Sequence, residues 1–552
     1  TLTAGYGDGR LMAVDTVKIG EAVITTGSDH ITSVNGSLAT DPLTGGGLVA
    51  NESVVLSAAQ GIGRSGGGTL SIESSALSLE NSEMGSVYLE LVGSLSLSSL
   101  TMTDSGSLYL RQTEGDLTVS ETIRLEAGKA VLETGGVFTM EGTIAADNGI
   151  RVVADHFIGE AAVLSSNHGD ISIRSRQGIT LDADSSIEAL AGSVTLHSGD
   201  ALMVSSISAA IRTDLRAVLD ITRTGGEIQT SALRIFSKEG LIGVSENQAV
   251  QVVADQIDLR SAGDIFIDTF SGFQFGRAGV DAGGNQPDSK VEFNITGGEL
   301  KSAGEIIQFP GKGTLVLRSE GALTLSTPIE APTADVTIEA TRILQTANPD
   351  TPVIIVPTGR LSLIAESGIG LPDVGNLNLR ADSLSATTQT GSIALAFGQS
   401  TSIAGSGVGI QSGDGLLQLT SLNDSLNLTA PVFHRGSGDI DIGLSGGGLF
   451  MNSNASITTF NGNIDVAVQS SFFLTRIQTE SGFVTISSSQ GSVITFGEFL
   501  EPNIVSPTTS DISVFNIADF TVESDDVLVN NQLFSRSGGS DVIDIQLIFV
   551  EP

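Results

Sequence analysis

The 552-residue chain has no cysteine, no tryptophan and only three tyrosines. Without cysteine, neither disulfides nor thiolate metal centres can hold the fold. Basic residues are scarce too: 26 Lys plus Arg stand against 63 Asp plus Glu, a formal net charge of −37. A field of that sign repels nucleic acid and anionic lipid and suits a solvated surface. No apolar run approaches the roughly 18 to 20 residues of a membrane-spanning helix. A transmembrane barrel lacks its aromatic girdles, and its strands would be about half the required length, so no membrane insertion is expected. The histidines, His30, His156, His168, His197 and His434, show no metal-ligand or triad spacing. The glycines open strands and do not precede helices, which removes a phosphate loop. Thr1 follows no signal-like region, and the reading expects a processed form or a piece of something longer.

What the sequence does hold is 67 glycines, 40% apolar residues and 5% aromatics, a composition for many tight turns around a thin core of Val, Ile and Leu. The stretch from Gly311 to Ala340, GKGTLVLRSEGALTLSTPIEAPTADVTIEA, shows how that core is laid down. Leu315 and Leu317, Leu323 and Leu325, then Val336 and Ile338 alternate with polar residues, the period of strands buried on one face. Gly or Pro separates the runs, so each is expected to turn after four or five residues. First inward positions Leu315, Leu323, Ile329 and Val336 are spaced by about 8, 6 and 7 residues before the pattern restarts. Ile171, Ile179, Ile187 and Val194 repeat the beat, as do Ala130, Phe138, Ile144 and Ile150, and Ile464, Phe472, Ile477 and Val484. Three short strands per coil of about 20 to 24 residues describe an all-β fold, a parallel β-helix or β-solenoid. A strand this short buries its apolar face only if the coils above and below cover it.

In chain order, residues 1–68 read as irregular N-terminal coils or a cap, and 69–496 as the β-solenoid. Within it, 271–311 departs from the beat as a loop excursion, and 497–552 reads as a C-terminal cap or assembly segment. Asp541 to Val550, DVIDIQLIFV, is the strand expected to cap the solenoid or add to a neighbouring molecule. The Gly-Asp and Gly-Ser pairs that open strands read as turn chemistry: Gly accepts a positive φ, and Asp or Ser bonds nearby amides.

Candidates for chemistry are few. Asp170, Ser172, Arg174 and Arg176, with His168 beside them, share one outward face at period 2 and resemble the charged face of a β-helix acting on acidic polysaccharide. Asp182, Asp184 and Glu188 form an acidic cluster, and Glu523, Asp525 and Asp526 another, neither with EF-hand or β-roll calcium spacing. Asn35, Asn51, Asn294, Asn423, Asn427 and Asn454 lie in sequons of the sort that a chain rich in Asn, Ser and Thr produces by chance. The reading therefore expects no enzyme, no catalytic or metal residues and no cofactor, and keeps a carbohydrate-active enzyme and a calcium-dependent binding module as alternatives.

The phrases GTLVLRSEGALTLSTPIEAPTADVTIEA and GDISIRSRQGITLDADSSIEALAGSVTL resemble the repeats of bacterial filamentous haemagglutinins and related giant surface proteins. The resemblance covers roughly residues 69 to 496 and rests on rhythm. It implies a right-handed parallel β-helix in an exported, extracellular or cell-surface structural and adhesive protein of bacteria. A recognisable two-partner secretion module is missing, and ANPDTP is not the family's asparagine-proline motif. The expected partners are further copies of the chain, end to end, and cell-surface glycans.

Overall fold

The computed structural model describes residues 7–19, 23–40, 46–63, 69–81, 84–102, 105–282, 289–296, 300–302, 307–309, 312–346, 351–372, 375–405, 408–421, 423–479, 484–488, 492–495, 504–505, 526–529 and 532–535. The protein is all-β, a parallel β-solenoid of about 19 turns. A single 3-10 turn, Glu246–Gln248, interrupts the strands among these residues, and no helix there is long and apolar enough to cross a membrane. Two compact units divide the chain, Thr1–Asp268 and Thr269–Pro552.

In the first unit each coil contributes one residue to each of several inward columns. One column runs Leu110, Leu132, Val152, Ile173, Leu196, Leu215, Ile235, Leu259, each paired in parallel register with the next. A second runs Leu117, Phe138, Phe157, Ile179, Leu202, Ile221, Ile242. A third runs Ile123, Ile144, Leu164, Ile187, Ile207, Ile228, Val252. All of these side chains are buried. Because coils are one strand spacing apart, about 4.8 Å, like sits on like. The Phe138 and Phe157 rings stack with centroids 5.5 Å apart, and outside the core Tyr88 and Tyr109 do so at 4.7 Å.

The second unit repeats the arrangement. Val291, Leu315, Val336, Leu361 and Leu384 form one inward column. Ile393, Leu417, Ile440 and Ile464 form another, and Ile410, Val432, Ile457 and Ile477 a third.

The four coil closures expected from spacing are all present as register partners: Leu315 with Val336, Ile171 with Val194, Ala130 with Ile150, and Ile464 with Val484. One expectation is corrected. Gly321 does not end a strand: Thr314–Leu325 is continuous over 12 residues, and its register against the next coil shifts between Ser319 and Ala322. The bend is thus absorbed by an irregularity in the ladder, as bulges do elsewhere, without a separate turn. Ser206–Ala217, Ile354–Ala365 and Leu377–Thr388 turn corners inside a strand in the same way.

Within 271–311, the stretch read as an excursion, Phe273–Ala282, Lys290–Ile295, Leu300–Ser302 and Ile307–Gln308 are strands, and the last three pair in parallel with the coil that follows. Phenylalanine displaces the aliphatic pattern there: Phe273, Phe275 and Phe293 are buried together at centroid distances of 5.1 to 6.0 Å. Near the other end, Asp526–Val529 stacks in parallel on Ser492–Thr495 and is then followed antiparallel by Gln532–Ser535, a hairpin that departs from the coil geometry. Asp541 to Val550 lies outside the described residues.

Nearest-neighbour stacking makes damage local. Phe157 is fully buried between Phe138 and Ile179, and Phe157→Ala is expected to cost about 3–5 kcal/mol. Hydrogen exchange should show lost protection in Val137–Met140, His156–Gly159 and Ile179–Leu181, with little change at Ile221–Arg223.

Candidate functional site

The aspartates at the coil corners are the first candidates for chemistry, and their carboxylates are bound to backbone. Asp116 Oδ1 accepts from the Val137 amide at 2.8 Å, Asp170 Oδ1 from Ser193 at 2.7 Å and Asp220 Oδ1 from Leu241 at 2.9 Å. In the second unit Asp335 Oδ1 accepts from Arg360 at 2.9 Å and Asp439 Oδ1 from Asn463 at 2.7 Å. The donors lie 21 to 25 residues further along. The turn chemistry read from Gly-Asp, at Asp116, Asp170 and Asp439, is therefore directed at the next coil, and Asp220 and Asp335, which no glycine precedes, act in the same way: each carboxylate holds down the amide stacked above it. Corner glycines serve the same stacking. A Cβ at Gly192 or Gly462 would strike the carbonyl of Gly169 or Gly438 in the preceding coil, and neither needs a positive φ.

Facing inward at the strand ends is a second set of links that sequence reading missed. Ser175 Oγ donates to the Asp155 carbonyl at 2.7 Å, Ser198 to Gln177 at 2.8 Å, Ser237 to Leu219 at 2.7 Å and Ser261 to Gly240 at 2.8 Å. Ser237 and Ser261 are buried, as is Thr401, whose hydroxyl donates to Ala381 at 2.8 Å. These hydroxyls satisfy turn carbonyls that would otherwise be buried without a donor. His434 occupies the equivalent place: Nδ1 accepts from the Gly436 amide at 2.9 Å, and Nε2 bonds the Gly415 carbonyl. The signal was a Ser or Thr ending each apolar alternation, a position that reads as polar surface until the corner closes over it.

Of the proposed charged face, Asp170, Arg174 and Arg176 are exposed on the outward side of strand Ile171–Ser175. Asp170 is engaged by Ser193, and His168 Nδ1 lies 2.9 Å from Asp147, not beside Asp170. That contact, with an amide from Asn167, holds the Asp147 carboxyl below its ordinary value. Arg176 lies 3.8 Å from Asp155. Arg174 belongs instead to an outward column that register partners carry from Glu133 through Val153 to Arg174 and on to His197, Arg216, Phe236 and Arg260 in successive coils, and Glu133 lies 3.5 Å from Arg151. A parallel column two residues earlier holds Arg151, Ser172, Thr195, Asp214, Arg234 and Asp258.

The electrostatics of this face are crowded. Arg216 donates from Nε and Nη2 to the two oxygens of Asp214 at 2.8 and 2.9 Å. Burial pushes the Asp214 carboxyl up, but the hydrogen bonds and charge of Arg216 outweigh it and leave it below its ordinary value. His197, between Arg174 and Arg216, is pushed down by burial first and then by the Arg216 charge, with Asp214 opposing. Its Nε2 is shielded from solvent and has no hydrogen-bond partner among the described residues. Arg234 lies 3.4 Å from Asp258, and Arg260 sits over the Phe236 ring at 5.6 Å from its centroid.

Asp182 of the acidic cluster is committed to structure. Its Oδ1 accepts from the Ser185 hydroxyl at 2.6 Å, which is the main cause of its lowered pKa, and its Oδ2 accepts from the Ala161 amide at 2.8 Å. Asp182, Asp184 and Glu188 do not gather: among the described residues no three His, Asp or Glu side chains are placed to share a metal ion. The side chains of Glu523, Asp525 and Asp526 lie outside the described residues. On the second unit, Asp441 and Asp465 stack as register partners, and burial together with the Asp441 charge raises the Asp465 pKa. No family model, no curated protein and no solved structure matches the chain.

Two substitutions test these links. Asp220→Ala is expected to lower stability by about 1 kcal/mol, measured by thermal unfolding, with Asp220→Asn retaining most of it. Asp465→Asn should raise stability at pH 7 by a few tenths of a kcal/mol, since the group is exposed enough for solvent to screen the repulsion. A raised folded-state pKa favours the protonated form, so the advantage of Asn should shrink as pH falls through that pKa. Equal melting temperatures for the two chains at neutral pH would remove this repulsion from the account.

Proposed function

We propose that this chain is an extracellular structural and adhesive β-solenoid, working as a stalk or as a head-to-tail subunit of a bacterial surface structure, similar in kind to filamentous haemagglutinins. One observation carries the reading: carboxylates and hydroxyls that could serve chemistry are spent, coil after coil, on holding the next coil. A fold that invests its polar groups in its own repetition is suited to spacing and display. Its working surface is then the outward columns, which the core does not constrain.

The same geometry supports a reading of self-association. A parallel solenoid presents different strand edges at its two ends, so copies join heterologously, head to tail. Light scattering and negative-stain microscopy of the purified chain should show assembly that grows with concentration. Deleting residues 541–550 is expected to abolish that growth. A deletion variant that assembles like the full chain would remove this segment from the account, and a chain that stays monomeric at every concentration would leave the stalk alone.

A further inference from the structure

We propose that a shallow groove on the outward face of the second unit, where Ser402 and Asn427 lie beside the ring of Phe450, binds a neutral, β-linked oligosaccharide. The inference rests on the adhesive reading above, which it deepens by naming a site and a ligand class, and it leaves the stalk role untouched.

The groove is a product of register. Ser402, Asn427, Phe450 and Phe473 are the middle, outward residues of successive three-residue strands, each the register partner of the next. Neighbours in this column are one strand spacing apart, about 4.8 Å. Two short side chains followed by two long ones make a step. Phe450 and Phe473 stack with centroids 5.0 Å apart, so the opposite face of the Phe450 ring is turned toward Asn427 and Ser402. Phe450 stays 37% exposed, and its ring edge lies against Gly448, where an added Cβ would come within 3.3 Å of it. The floor beside the ring runs for two coil rises, about 10 Å. The groove holds about 500 Å³, room for a disaccharide.

The lining matches a sugar in kind. None of the described side chains around the groove is charged, in a chain whose net charge is −37. An anionic ligand would meet no counter-charge there and a repulsive field around it, whereas a neutral polyol is indifferent to that field. The polar groups are held in place yet keep a function to spare. Asn452 Oδ1 accepts from the Asn454 amide at 2.9 Å, which leaves Nδ2 to donate. The Thr429 hydroxyl donates to the Ile403 carbonyl at 2.9 Å and retains its acceptor capacity. Asn427 makes no hydrogen bond among the described residues, so its amide offers both a donor and an acceptor. Donors and acceptors beside a bare aromatic face answer the two surfaces of a pyranose, its rim of hydroxyls and its face of C–H groups.

β-Linked glucose and N-acetylglucosamine carry their substituents equatorially, so each ring presents a flat C–H face that can rest on Phe450. A protein partner fits less well, since a stable complex buries about 800 Å² on each side and the uncharged step is confined to one column and the corner beside it. Aromatic stacking between strands stabilises a sheet by itself. That role requires neither an open Phe450 face nor an uncommitted Asn427.

The test is calorimetric titration of the full chain with cellotetraose and tetra-N-acetylchitotetraose, and with tetragalacturonate as the acidic control. At least one neutral chain should bind saturably at millimolar ligand, and the acidic one should not. Phe450→Leu, which keeps an apolar side chain but removes the ring, should weaken binding about tenfold. Asn427→Ala should weaken it about fivefold with an unaltered melting temperature, which a purely structural role would not produce. Phe460→Leu changes an equally exposed ring outside the groove and should leave affinity as it is. No binding of either neutral chain, wild-type affinity in both groove variants, or tetragalacturonate bound as tightly would overturn the proposal. So would self-association that Phe450→Leu dissolves, or an intact mass showing that Asn427 itself carries a sugar, since the groove would then be filled from within. Cell-retention assays separate this inference from the reading it rests on. Cells held equally well by the Phe450→Leu chain would sink the groove and keep the adhesive role, whereas sugar binding without any cell retention would keep the groove and sink that role.

Discussion

Everything in this structure answers to one distance, the strand spacing of about 4.8 Å between a coil and the next. A strand of three to five residues cannot fold alone, because it buries too little to offset its own ordering. Stacked at that spacing, each buried Ile, Leu or Val is covered by its counterparts above and below, and backbone amides find carbonyls in the adjacent coil. The same distance dictates the corners. There the carbonyl of one coil lies where the Cβ of the next would be, and glycine is required at Gly192 and Gly462 for space and not for an unusual φ. Corner carboxylates and strand-end hydroxyls then supply the bonds that a tight turn cannot make to itself.

The coil was legible in the sequence because inward positions must repeat, and the restart from Leu315 to Val336 or Ile171 to Val194 is visible as a spacing of 21 or 23 residues. Less legible was anything that depends on which residue lies one coil away. Asp170 bonds Ser193 and Asp335 bonds Arg360, at separations of 23 and 25 residues, so corner loops of unequal length erase any fixed motif. For the same reason Arg174 looked like a member of a local charged strand, although its neighbours in space are His197 and Arg216. Corners bent inside a strand, as at Gly321, were hidden because the glycine there resembles every glycine that does end a run.

Strict register also forces electrostatic consequences on the surface. In a globular sheet a charged residue has varied neighbours, whereas here a charge at one outward position faces whatever the equivalent position of the next coil holds. Asp441 under Asp465 and Arg174 under His197 are stacks that a solenoid creates automatically. Some columns compensate: Arg216 closes on Asp214, and Arg234 on Asp258.

That property separates the two kinds of column. Inward columns are constrained by packing, since one methylene too many or too few is felt by both neighbouring coils. Outward columns carry no such constraint, so their composition is free to follow an external partner. A partner that uses them must read along the axis, taking one contact from each of several coils, because no single coil offers enough side chains for a site. A linear repeating polymer or a second solenoid has that form.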